Sequence, residues 1–96
     1  MAGFKLTPAA ETDLKEIARY THRKWGHKKR NRYLSALDTR FTWLSEDPQL
    51  GKSRNEIKAG YRSYPEGQHV IFYREVKENI EILGILHQKM DFKQHL

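Results

Sequence analysis

The sequence contains no cysteine. That excludes a disulfide framework and thiolate-ligated zinc, and it fits a reducing compartment such as the cytoplasm. Only 3 of the 96 residues are proline, too few for a polyproline linker. No apolar run approaches the ~18 residues a membrane span needs. The opening Met1-Ala2-Gly3-Phe4-Lys5 has no hydrophobic stretch of signal-peptide type. A chain this short has room for one core, so one domain over residues 1–96 is expected, without an interdomain cleft. Gly-rich phosphate loops, nucleophile elbows and histidine pairs at metal-ligand spacing are missing as well. His22 and His27 stand five apart, which puts them on different faces of a helix. No cofactor and no metal site is therefore expected.

Positive charge is what the chain has in excess. There are 18 Lys+Arg against 12 Asp+Glu, a formal net charge of +6. The surplus is local. Arg19, Arg23, Lys24, Lys28, Lys29, Arg30 and Arg32 fall in a segment with His22 and His27 and no acid. Such a patch suits a solvated helix face, an acidic protein partner or nucleic acid. It shows no aromatic-interleaved nucleic-acid motif in sequence, so direct nucleic-acid binding is not expected.

Hydrophobic periodicity gives the elements. Phe4 and Leu6 alternate with Lys5 as in a short strand. Thr7-Pro8 then reads as an N-cap followed by proline in the first turn. Leu14, Ile17, Ala18, Thr21 and Trp25 form one helical stripe, and Gly26 is a natural stop. A second helix is predicted from about His27 to Leu44, with Leu34, Leu37, Phe41 and Leu44 inward, ending before Pro48. The short connection at Gly26 makes the two an antiparallel hairpin. Trp25 and Trp43 read first as core or hinge packing. Residues 52–60 are polar. Three strands then follow, over 61–64, 69–74 and 80–87, separated by Pro65-Glu66-Gly67 and Lys77-Glu78-Asn79.

The expected fold is therefore α+β, in the order β-α-α-β-β-β, with a helical hairpin on one face of a mainly antiparallel sheet. On the last strand Ile80, Ile82 and Leu86 are expected to face one way and Leu83 and Ile85 the other. Two helices cover only one face. Unless the tail folds over it, apolar surface should stay bare on the second, as in a protein-binding groove. The meander also places Arg62, Arg74, His87 and Lys89, with His95 just beyond, where they can converge at one sheet edge. Such a cluster can bind an RNA phosphate and stabilise charge during attack by a 2′-hydroxyl.

Four blocks in order carry a family resemblance: Tyr20-Thr21 with Trp25-Gly26; Gly60-Tyr61-Arg62-Ser63-Tyr64; residues 67–74, Gly-Gln-His-Val-Ile-Phe-Tyr-Arg; and Ile80-Glu81-Ile82 with Ile85 to Asp91. Together they resemble the ParE toxins of the RelE/ParE superfamily, which belong to bacterial type II toxin–antitoxin systems. The resemblance implies a growth-inhibiting, non-enzymatic toxin in a hetero-oligomer with a ParD-like antitoxin, with DNA gyrase as target. The implied alternative is a RelE-like endoribonuclease cutting mRNA, using Arg62, Arg74, His87, Lys89 and His95. No Tyr follows Asp91 in this tail, where RelE-type cleavage uses an aromatic hydroxyl. Expected antitoxin contacts are Tyr20, Arg23, Trp25 and Tyr33 on the hairpin, with Arg62, Tyr73, Arg74, Leu83, Ile85 and His87 on the sheet. The expected toxic surface is the tail: His87, Gln88, Lys89, Met90, Asp91, Phe92 and His95.

Overall fold

The computed structural model describes residues 3–96. Met1 and Ala2, the start of both the expected domain and the segment read as lacking a signal peptide, lie outside the described residues. Strand β1 (Phe4–Leu6) leads into α1 (Pro8–Trp25) and α2 (His27–Glu46). A 3₁₀ turn at Pro48–Leu50 precedes β2 (Lys52–Ser53), β3 (Arg62–Glu66), β4 (His69–Val76), β5 (Asn79–His87) and a terminal turn of helix, α3 (Phe92–His95). The sheet order is β1-β5-β4-β3-β2, with β1 parallel to β5 and every other pair antiparallel. Among the described residues no helix is long and apolar enough to cross a membrane.

Thr7 ends the first strand and starts the first helix. Its N–H donates to the Ile82 carbonyl at 3.1 Å, continuing the parallel ladder. Its Oγ1 accepts from the Ala10 N–H at 3.1 Å, the N-cap bond that satisfies an otherwise orphaned donor. At the other end of α1, Gly26 at φ 91° donates its N–H to the His22 carbonyl at 2.9 Å, and α2 begins at the next residue. A backbone at that φ suits glycine and few other residues. Across this hinge Arg30 meets His22 at 3.1 Å, so the helices double back on each other.

The core lies between the hairpin and the sheet. Ala10 and Ile17 from α1 and Leu37, Phe41 and Leu44 from α2 meet Ile71 and Tyr73 of β4 and Ile80, Ile82 and Ile85 of β5. Of the predicted helical stripes, Ile17, Thr21, Leu37, Phe41 and Leu44 are buried and Leu14, Ala18 and Leu34 half-buried, whereas Trp25 is 56% exposed at the hairpin tip. Trp43 stays half-exposed, edge-on to Tyr64 at 5.1 Å.

Three differences from the sequence expectation matter for the site. First, β3 runs through Pro65, leaving Gly67-Gln68 as the turn. Pro65 is tolerated because β2 pairs only with Arg62 and Ser63, leaving that stretch on an open edge. Second, β5 carries a bulge. Phe72 faces Gly84 and Tyr73 faces Ile82, so Leu83 has no partner. The extra residue re-phases the strand. Ile80, Ile82 and Ile85 face the helices, whereas Leu86 joins Phe72 and Gly84 on the opposite face, correcting the expected assignment. Third, that opposite face is not bare. The Phe92 ring packs on Phe72 at 4.7 Å and Leu96 approaches Gly84. Arg54 lies 5.9 Å from the Phe72 ring and 5.6 Å from Phe92. Phe72 is fully buried. The tail supplies the cover that the hairpin cannot.

Candidate functional site

One feature left open by this packing is a groove along the flank of α1, built from two adjoining cavities of about 230 and 370 Å³. Tyr20, Gln68 and His69 line both. The smaller cavity reaches Trp25, Lys24, Lys29 and Tyr33; the larger runs past Ile17 and His87 to Met90.

The turn before β4 sets the groove's midpoint. Gly67 has φ 59°, and a Cβ there would lie 2.8 Å from the Tyr33 ring, so conformation and space both call for glycine. Tyr33 Oη stands 2.9 Å from the Glu66 carbonyl and 2.7 Å from His69 Nδ1. A phenol has one proton, and a carbonyl only accepts. Both contacts are satisfied when Tyr33 donates to Glu66 and His69 Nδ1–H donates to Tyr33. Burial, helped by the Glu66 charge, pushes the Tyr33 hydroxyl up to about 12, so it stays protonated. His69 faces His87 directly across the strands, with ring centres 5.6 Å apart. Burial first, then the neighbouring His87, holds His69 below its ordinary 6.5, favouring the neutral ring.

Asp13 closes the same region from α1. Beyond Ile82 the β5 edge has no strand partner from β1, and the Asp13 carboxylate accepts the Ile85 N–H at 2.9 Å instead. A carboxylate on a sheet edge blunts further strand pairing. Burial raises the Asp13 pKa above its ordinary value, with Glu16 adding to the effect, against the opposing Ile85 bond and His95.

Of the residues singled out from sequence, Tyr20, Trp25, Tyr33, His87 and Met90 line this groove. Gln88 is at its rim, its N–H bonded to the Gln68 carbonyl at 3.0 Å. Ile85 also lines it but is only 2% exposed, a core residue rather than a free contact. Arg23 is exposed beside it and Leu83 is half-buried at the bulge. Tyr73 is a correction: it is fully buried, donating to the Pro48 carbonyl at 2.7 Å and accepting from the Gly51 N–H at 2.8 Å. Phe92 is another, since it is half-buried against Phe72. Lys89, Asp91 and His95 are exposed; Asp91 caps α3 by accepting from the Lys93 N–H at 3.2 Å.

The cationic cluster expected at one sheet edge is not assembled. Arg62 is bonded to the Gly51 carbonyl at 2.9 Å and Gln49 Oε1 at 2.7 Å beside β2. Arg74 is paired with Glu81 at 2.8 Å. Glu81 and His87 stand at opposite ends of β5, roughly 20 Å apart at strand rise. Gln68, His69, Asp13 and Glu16 are groove residues that sequence reasoning missed. His69 was hidden by the bulge, because an unbroken ladder from the β4–β5 turn would set it opposite Leu86.

A helical hairpin on one face of a five-stranded, mostly antiparallel sheet is the fold of RelE/ParE-type toxins. A chromosomal ParDE toxin–antitoxin system from P. aeruginosa aligns with a TM-score of 0.75 at 21% identity, over 91% of this chain and 96% of that one. The RelBE2 toxin–antitoxin complex from Mycobacterium tuberculosis aligns at 0.63 and 25% identity, over 90% and 96%. The family described as the ParE toxin of type II toxin–antitoxin system, parDE, matches residues 4–92. Toxin ParE1 of Caulobacter vibrioides is 34% identical, over 100% of this chain and 99% of its own length. Toxin ParE1 of Mycobacterium tuberculosis is 35% identical, over 97% and 96%. The chain belongs to the ParE toxins of type II toxin–antitoxin systems.

Proposed function

We propose that this toxin arrests growth by protein contact with DNA gyrase, in the cytoplasm, and that a ParD-like antitoxin neutralises it by filling the α1 groove. The single observation behind this reading is the groove itself. It offers aromatic surface from the exposed Tyr20 and Trp25, backed by the largely buried Ile17 and Leu86, on a chain with net charge +6. An antitoxin segment with apolar anchors and acidic flanks is complementary in both respects. Tyr20, Trp25, Tyr33 and His87 are the candidate contacts within the groove, with the exposed Arg23 and the half-buried Leu83 outside its lining as further candidates. Protein contact is favoured over RNA cleavage because Arg62 and Arg74 are tied down far from His87. The toxic surface is assigned to the exposed part of the tail, from His87 to Asp91 with His95.

Purified toxin in a gyrase supercoiling assay, run beside translation-coupled mRNA cleavage, tests the target. Supercoiling should fall and mRNA stay intact. Unimpaired supercoiling with cut mRNA overturns the assignment.

A further inference from the structure

The segment carrying the positive surplus is gathered by the fold at the tip of the α1–α2 hairpin. Among the described residues, none of its seven Lys and Arg forms an ion pair; the ion pairs are Arg40–Glu66, Arg54–Glu56 and Arg74–Glu81. The first turn of α2 has no acid to offset its cations. This end of the free protein is therefore a concentration of unneutralised charge. Two large aromatics stand inside it. Trp25 is 56% exposed and Tyr20 51%. The Lys29 ammonium rests 4.0 Å from the Trp25 ring centre and Lys24 5.5 Å, while Lys24 also bonds the Tyr20 hydroxyl at 3.2 Å. The aromatic interleaving that the linear sequence did not reveal is thus present in space.

We infer that the hairpin tip binds single-stranded nucleic acid. Lys24, Lys28, Lys29 and Arg32 meet successive phosphates, and a base stacks on Trp25. On binding, the lysines that cover the indole in the free chain swing to the phosphates and uncover its face. Stacking on an aromatic is available to any unpaired base, whereas a base inside a duplex has no free face. The charge alone would also suit an acidic peptide. What favours nucleic acid is the flat indole with Lys29 at 4.0 Å and Lys24 at 5.5 Å from its centre, since a base stacked there brings its own phosphates to those cations. Trp25, Lys24 and Lys29 also line the groove, whereas Lys28 and Arg32 lie outside it; the inference needs neither the gyrase nor the antitoxin assignment to hold.

The test uses the full chain and a fluorescein-labelled thymidine oligonucleotide of ~15 nucleotides, long enough for a single site. Trp43 is replaced by Phe so that indole emission reports Trp25 alone. Binding should raise anisotropy, quench the indole, and weaken with salt at a log–log slope of about −3, as expected for four phosphates on a single strand. Trp25→Ala should weaken binding about tenfold or more with an unchanged far-ultraviolet dichroism spectrum. The Lys28→Glu, Arg32→Glu double variant should lower both affinity and slope. Absence of binding at low salt overturns the inference, as does binding indifferent to Trp25→Ala. Equal binding of a duplex without quenching overturns the single-strand assignment. Failure here with supercoiling inhibition intact leaves the gyrase assignment standing.

Discussion

Tyr73 and Gly51 depend on each other at the scale of single residues. The Tyr73 hydroxyl occupies the space a Cβ on Gly51 would need; that atom would lie 2.0 Å from Oη. In return, the phenol accepts the Gly51 N–H and donates to Pro48, tying the connection after α2 to the sheet. Tyr73→Phe leaves both backbone groups without their partner and should cost about 2 kcal/mol. In a domain of this size that lowers the melting temperature by roughly 10 °C. Gly51→Ala should cost at least as much, through overpacking. Thermal denaturation of the two variants checks this; a Gly51→Ala protein as stable as the parent refutes the contact.

Asp13 gives a pH signature at the same scale. Burial raises its folded-state pKa above the ordinary 3.8, so the folded chain holds the proton more tightly than the unfolded one. The resulting stability is complete below 3.8 and is lost as pH climbs through the higher folded value. Asp13→Asn does not titrate, and its amide oxygen can still accept the Ile85 N–H. In urea titrations the variant should gain on the parent as pH rises from the acid side to neutrality. Asp13→Ala orphans that donor and should cost about 1–3 kcal/mol at either pH. An Asn variant that loses ground as pH rises contradicts the assigned direction.

The tail is the element whose role the fold changes most. From His87 onward the sequence offers a polar end with a single Phe, and nothing in its pattern announces a docking site. The fold makes α3 the lid of the second sheet face, with Phe92 on Phe72 and Leu96 over Gly84. Ending the chain after Asp91 should expose Phe72 and Leu86 and cost about 2–4 kcal/mol, since burying one large apolar side chain contributes roughly 1.5–3 kcal/mol. Equilibrium unfolding measures the loss, and binding of a hydrophobic dye reports the bared face. A truncated chain of parental stability that binds no dye excludes the lid.

The elements that sequence did expose share a physical property. Both helices and all three meander strands follow from local periodicity and caps, such as Thr7-Pro8 and Gly26, because each signal lies within a few residues. The Leu83 bulge has no such signal. It arises from fitting β5 against β4 while Asp13 and Thr7 hold its other edge. One extra residue turned Ile85 toward the helices and Leu86 to the opposite face, and brought His87 opposite His69. The groove's polar centre was therefore illegible; of its margins, Tyr20 and Met90 are exposed residues that the sequence marked as contacts, whereas Trp25, read first as core or hinge packing, stands exposed at the hairpin tip.

For the whole molecule, uneven charge should act on how the proposed antitoxin arrives more than on how tightly it stays. The basic tip adjoins one end of the groove, so an acidic antitoxin should be steered toward the site before its apolar residues engage Ile17 and Leu86. Exposed charges are screened beyond about 8 Å at physiological ionic strength, whereas apolar contacts buried in the groove are not. Raising salt from low to high should then slow association by about tenfold or more and leave dissociation nearly constant. Charge reversal at Lys28 and Arg32, which lie outside the groove, should flatten that salt dependence without changing the dissociation rate. Stopped-flow mixing of toxin with antitoxin measures both rates. If salt acts mainly on dissociation, the complex is held by charge and the groove is not its anchor.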